Sequence, residues 1–268
     1  MILRAVRHIV VAPMFCLVVI VAIVASPVLV VGAALFSMFV DRQFRPVRAI
    51  AFVLIYAVHD VIVVLAGFAL WLRLGGRGAM NDERMQSSHY RLIAWFLGRI
   101  SRAAEAILGV RFVVEHSEQA EALLSDCATP LIMLSRHAGP GDSFLLVQEL
   151  LARGRRPRIV LRAALQLDPG IDLLGNRLPF CFVSRTTGST DATCARIADL
   201  ARTMDSRSAL VLFPEGATSR LSAVKTQFAL CYAAATAAML TALRTWSMSS
   251  PHVPAESSVP STQHPERT

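Results

Sequence analysis

Between Ile9 and Val40 the chain carries no charged residue, and this run constrains the fold more than any other feature. Backbone N–H and C=O groups placed in hydrocarbon have no water to bond with, so they must be satisfied within the segment, which means helix. About 20 apolar residues span a bilayer. The run is long for one helix and short for two spanning ones, and Pro13 and Pro27 interrupt it; a kinked helix and a re-entrant hairpin both fit. It exceeds the apolar region of a secretory signal and has no clear cleavage site. Arg4 and Arg7 precede it, and a basic linker from Asp41 to Arg48, with Arg42, Arg45 and Arg48, follows.

A second apolar run extends from Ala49 to Leu72, broken near its middle by His59 and Asp60. Ionisable groups at that depth are costly; they either serve a function or face protein or water. The second reading is favoured, because nothing else in the sequence suggests a transport path. A small transport subunit working through His59 and Asp60 is the distant rival. Arg73 and Arg77 follow at once, which by the positive-inside rule leaves the rest of the chain cytoplasmic. The Arg-rich linker at 42–48 calls for the same side, in conflict with two simple crossings. A hairpin that dips into the membrane removes the conflict. Residues 1–74 therefore read as membrane-associated helices at a plasma or inner membrane, with the rest of the chain in the cytoplasm.

The hydrophobic fraction of 54% is high for a soluble chain, and the excess is concentrated before residue 75. The net charge of +8 is carried almost wholly by Arg, with Lys225 as the only Lys. Guanidinium forks suit phosphate, so anionic headgroups or phosphorylated substrates rank first as partners. No aromatic-interleaved basic patch or DNA-reading helix is evident, and no nucleic-acid partner is expected. The five Cys (Cys16, Cys127, Cys181, Cys194, Cys231) show no CxxC spacing. They indicate neither a zinc site nor a disulfide framework, and their odd number fits a reducing compartment.

Residues 75–89, opening with Gly75-Gly76-Arg77-Gly78, read as a linker, and 90–220 as the main domain. From Tyr90 to Leu108 apolar residues recur at helical spacing with Arg91, Arg99 and Arg102 between them, giving an amphipathic helix. The pattern then alternates: strand over Val110–Glu115, helix over Ser117–Ser125, strand over Leu131–Leu134, helix over Ser143–Ala152, strands over Arg158–Leu161 and Phe180–Val183, helix over Thr190–Met204, and strand over Ala209–Phe213. Such alternation predicts an α/β fold, a sheet flanked by helices with the polar turns and the site at the strand ends. Composition changes abruptly at Arg220. Residues 221–268 form an atypical tail, Ala-rich and helical at first, then rich in Pro, Ser and Thr and disordered; a shifted reading frame near residue 220 would account for the change.

Two of these strands end in chemistry. Leu131-Ile132-Met133-Leu134 runs through Ser135-Arg136 into His137, with Asp142 five residues on, at the start of the next helix. An imidazole oriented by a carboxylate is a general base, although a purely structural turn has the same sequence. The strand Leu210-Val211-Leu212-Phe213 likewise ends in Pro214-Glu215-Gly216. These two stretches, with Gly175-Asn176-Arg177-Leu178-Pro179-Phe180-Cys181-Phe182-Val183-Ser184-Arg185 and the connecting Leu165-Gln166-Leu167-Asp168-Pro169-Gly170-Ile171-Asp172, resemble in order and spacing the first three sequence blocks of the glycerolipid acyltransferases typified by 1-acylglycerol-3-phosphate O-acyltransferase. The resemblance covers about Ala104 to Ser219.

It implies that His137 deprotonates the acceptor hydroxyl, that Asp142 fixes its tautomer, and that the hydroxyl attacks an acyl thioester carried on coenzyme A or acyl carrier protein. It further implies that Arg185, Glu215 and Gly216 hold the phosphate end of a lysophospholipid acceptor; an Arg fork suits that geometry, while Glu215 would position donors rather than bind phosphate itself. No bound cofactor and no metal is expected. The third block departs from the family pattern Glu-Gly-Thr-Arg-Ser: here it reads Glu215-Gly216-Ala217-Thr218-Ser219-Arg220, so Arg220 would have to replace the missing Arg, and no fourth block follows. The alternative is an inactive or truncated membrane-anchored homologue that keeps the fold without catalysis.

Overall fold

The computed structural model describes residues 12–40, 44–74, 82–136, 141–183 and 190–213. The first apolar run is a single helix, α1 (Ala12–Val40), with Pro27 inside it, so no re-entrant hairpin forms within it. A proline at 27 cannot donate to the carbonyl of Ile23. The Ser26 hydroxyl donates to that carbonyl instead, at 2.7 Å, the usual repair inside an apolar helix. The second run forms α2 (Arg45–Arg73) and packs on α1. Both helices are long and apolar enough to cross a membrane. Among the described residues the outer face of α1 is uncovered, with Val24 and Val28 75% and Phe39 88% exposed.

α2 belongs to the folded domain as well. It runs antiparallel to α3 (Glu83–Ala103): Arg48 donates to the Ile107 carbonyl in the π turn Ala104–Leu108 that ends α3. At its other end Gly67 lies against Leu173 and Arg177. Val63 shares one core with Tyr90, Phe96, Leu97 and Leu173. The expected linker over 75–89 is correspondingly shorter, because Asp82 caps α3 and Met85 and His89 are already buried; residues 75–81 lie outside the described residues.

Past α4 (Glu118–Ser125), capped by Ser117, come four strands: β1 (Leu131–Leu134), β2 (Arg156–Arg162), β3 (Cys181–Val183) and β4 (Ser208–Leu212). They form one parallel sheet in the order β1-β4-β2-β3. Parallel strands need helical crossovers, supplied by α5 (Asp142–Ala152), by a 3-10 turn (Ala163–Leu167) with α6 (Pro169–Arg177), and by α7 (Thr190–Arg202). Side chains alternate between two buried faces. Ile159 packs with α2, α3, α5 and α6, and Ala209 and Val211 with Leu150 of α5; Val160, Cys181, Leu210 and Leu212 pack under Ile197 and Ala201 of α7. Burial on both faces explains why β4 reads as a continuous apolar run.

Two arginines are absorbed into this frame. Arg155, 1% exposed, donates to the carbonyls of Leu123, Leu124, Asp126, Thr129 and Ser206, joining the approach to β1 to the turn before β4. Arg158 donates to Ser208, Leu200 and Thr203. Part of the basic composition is therefore structural.

Two expectations were not met. Val110–Glu115 is not a strand; it is irregular, with Val113 71% exposed. Its β propensity finds no neighbour among the described strands, and an unpaired strand has no ladder to join. Conversely α6 was not expected. Asp168 before Pro169 is a cap followed by proline at the first helical position, and the Asp168 carboxylate accepts from the Ile171 N–H at 2.9 Å.

Candidate functional site

All four strands point the same way, so their C-terminal ends share one edge, where sites form in open α/β sheets. Leu134 pairs with Leu212, and the Ser135 N–H donates to the Leu212 carbonyl at 3.0 Å, carrying the pairing past the strand. Asp142 opens α5 immediately beyond this edge. The first turn of a helix carries the positive end of its dipole, an environment suited to a carboxylate. His137, Arg185, Glu215, Gly216 and Arg220 lie outside the described residues, as does the tail 221–268; in sequence, His137 follows β1, Arg185 follows β3 and Glu215 follows β4.

Next to Asp142, Ser143 lines a cavity of about 200 Å³ between the sheet and the helices α2, α3, α5 and α6. Its walls are hydrocarbon, including Phe96, Val147, Ile159, Leu165, Leu174 and Phe180, and Asp60 is its one ionisable lining group. An apolar cavity of about 150 Å³ stays dry and binds benzene, so this one can take a segment of an alkyl chain.

Asp60 reaches the cavity because α2 is clamped to α6. The Tyr56 hydroxyl donates to Asp168 Oδ2 at 2.6 Å. The Asp60 carboxylate, 1% exposed, presses on Gly170, where a Cβ would come within 1.9 Å of its Oδ1. Its carboxyl group is paired with Asp168 and the Gly170 backbone. Further along, Arg177 donates to the Gly67 carbonyl and, at 3.2 Å, to His89 Nε2. Burial lowers Arg177 to about 10. His89 is fully buried and its Nδ1 bonds the Met85 carbonyl at 2.8 Å. Burial depresses its pKa, the Met85 carbonyl opposes the shift and the Arg177 charge adds to it. Gln166 and Asn176 donate to Asp172 at 3.2 and 2.8 Å, bracing the turn before α6.

His59 and Asp60 therefore face the protein. His59 Nδ1 bonds the Ile55 carbonyl at 2.8 Å and its ring lies 5.5 Å from that of Trp95, which leaves the transport reading without its motivating feature. Cys16, Cys127 and Cys181 are free, whereas Cys194 is disulfide-bonded, a pairing the sequence spacing did not suggest. Among the described residues no group of three His, Cys, Asp or Glu could hold a metal. Sequence reasoning missed Tyr56, Ser143 and Asp168 as lining and anchoring groups; the Asp-Pro-Gly at 168–170 was the available signal.

A model of the acyltransferase family matches residues 111–255, more than half of the chain and past the end of β4. No curated protein and no solved structure matches it.

Proposed function

The chain belongs to the acyltransferase family, and on that premise we propose that it transfers a fatty acyl group from a thioester of coenzyme A or acyl carrier protein to the hydroxyl of a lysophospholipid such as 1-acylglycerol-3-phosphate. His137 takes the proton of the acceptor hydroxyl, with Asp142 holding its ring. The oxygen bonds to the thioester carbonyl, the C–S bond breaks as the tetrahedral intermediate collapses, and the imidazolium returns the proton to the departing thiolate. Arg185 and Arg220 pair with the acceptor phosphate, and Glu215 and Gly216 shape the turn beside it.

The observation that carries this reading is the hydrocarbon-walled cavity bordered by Ser143, the residue after Asp142. A hydrocarbon-walled, alkyl-sized space reached at Ser143 fits a reaction on the carbonyl end of a long chain. The uncovered apolar face of α1 supports a membrane location, where acceptor and product reside, with the domain on the cytoplasmic side. The test is acyl transfer by the purified full chain in detergent, from long-chain acyl-CoA and acyl-ACP to a panel of lysophospholipids. His137→Ala should cost about 10²- to 10⁴-fold. Absence of turnover with both thioesters in a folded sample would favour the inactive homologue, a reading motivated by Thr218 at the position of the family's Arg.

A further inference from the structure

Val110–Glu115 joins no described strand, yet it spaces its side chains as a strand does. Phe112 and Val114 line a cavity of about 320 Å³ over α3 and α5, and the His116 Nε2 lies 3.5 Å from Glu149 Oε2 of α5. The residues between them, Arg111, Val113 and Glu115, are exposed, Val113 most of all at 71%. Alternation with a period of two is the geometry of extended chain. Among the described residues its backbone makes one hydrogen bond, from the Phe112 N–H to Glu105 Oε1 at 3.5 Å. In extended chain the N–H and C=O groups of Arg111, Val113 and Glu115 point to the opposite edge from those of Phe112. That edge is uncommitted, and a row of unpaired backbone groups is a template for another strand. Neither Arg111 nor Glu115 has an ion-pair partner among the described residues.

We propose that this edge pairs with the same segment of a second copy of the chain, antiparallel about a twofold axis at Val113, to make a dimer. The sequence is self-complementary in that register. Arg111 falls opposite the partner's Glu115, Glu115 opposite the partner's Arg111, and Val113 opposite its own copy. These are the pairs that exchange both N–H···O bonds. On the other face Phe112 meets the partner's Val114; aromatic against β-branched and opposite charges are both favourable cross-strand pairs. Competing arrangements lose the match. Parallel in-register pairing stacks Arg111 on Arg111 and Glu115 on Glu115, and an antiparallel slip by two residues sets Val113 against Glu115. Charge therefore selects one register. The contact is the same on both copies, so it closes after two chains and leads to no open polymer.

The test follows self-association of the full chain in detergent by sedimentation over a concentration series, with Arg111→Glu, Glu115→Arg and the double variant beside the parent. Each single reversal sets like charges opposite each other at both ends of the ladder and should weaken association by about tenfold or more. The double variant exchanges the two charges and should restore the parent's affinity. Oxidative crosslinking reads the register. In Val113→Cys the two thiols stand on Cα atoms about 5.5 Å apart, inside disulfide range, and a crosslinked dimer should accumulate above the parent's background. Val110→Cys sets the same thiol about 20 Å from its copy and should stay at background. Arg111, Val113, Glu115 and Val110 are all exposed, so these substitutions leave the core untouched. A monomer throughout the series, association that the single reversals leave unchanged or the double variant fails to restore, or crosslinking as efficient at 110 as at 113 overturns the pairing. Acyl transfer does not enter the readout, so the dimer stands or falls independently of the proposed reaction.

Discussion

Replacing Gly170 with alanine should destabilise this protein even though Gly170 lies in the first turn of a helix. On propensity alone, alanine in a helix is better than glycine by up to about 1 kcal/mol. Here the new methyl would stand 1.9 Å from Asp60 Oδ1, 3.0 Å from its Cγ and 3.4 Å from Val63 Cγ1. Comfortable contact needs about 3.5 Å, so the carboxylate or the whole of α6 must move by more than an ångström within a packed joint. Overpacking of this kind costs about 1–3 kcal/mol. The net loss should be roughly 1–2 kcal/mol, and Tm should fall by about 2–4 °C per kcal/mol in a chain near this size. In an Asp60→Ala background the obstruction is gone, and the same substitution should become neutral or stabilising, a coupling on the order of 2 kcal/mol between contacting residues. The assay is thermal unfolding of the four proteins in one detergent, followed by circular dichroism. Stabilisation by Gly170→Ala alone, or an identical cost in both backgrounds, would refute the close approach of α2 to α6.

Arg155→Met should cost at least about 1–3 kcal/mol, the penalty for a buried carbonyl left without a donor, since five carbonyls share this one partner; a denaturation midpoint within error of the parent would show that they do not depend on it. His89 is held below its ordinary 6.5, so below that pH the unfolded chain binds a proton that the fold resists. Stability should be full above about pH 6.5 and decline as pH falls through the window beneath it. Tm measured across that window should flatten in His89→Gln, and an unchanged slope would assign the effect elsewhere. Val147→Phe narrows the cavity and should shift the preferred acyl chain toward shorter lengths, read as the kcat/KM ratio of a short to a long acyl thioester; an unchanged ratio would place the chain outside this cavity.

Much of the architecture follows from local pattern. β1 occupies Leu131–Leu134 as its apolar run and following turn indicate, and α4 begins where Ser117 can cap it. The two apolar runs had to be helices, since no other backbone satisfies its own hydrogen bonds within the segment. Asp142 was legible at the head of α5 because a strand, a Gly/Pro turn and an amphipathic run leave it no other place. These features depend on residues a few positions apart, where periodicity and caps act directly.

What the tertiary structure decided are contacts between residues far apart in sequence. Val110–Glu115 has the composition of a strand, but strand formation needs a partner, and no described strand of the sheet pairs with it. Asp60, read on its own, is a charge in a membrane run; only the packing of α2 on α6, with Tyr56 on Asp168 and Leu173 over Gly67, turns it into part of a cavity wall. The same packing makes α2 both a membrane-length helix and a piece of the domain core. Local sequence specifies which segments are helices and strands through short-range hydrogen bonding and periodicity, whereas burial against a distant segment decides what each side chain faces, and that choice is made by the whole chain at once.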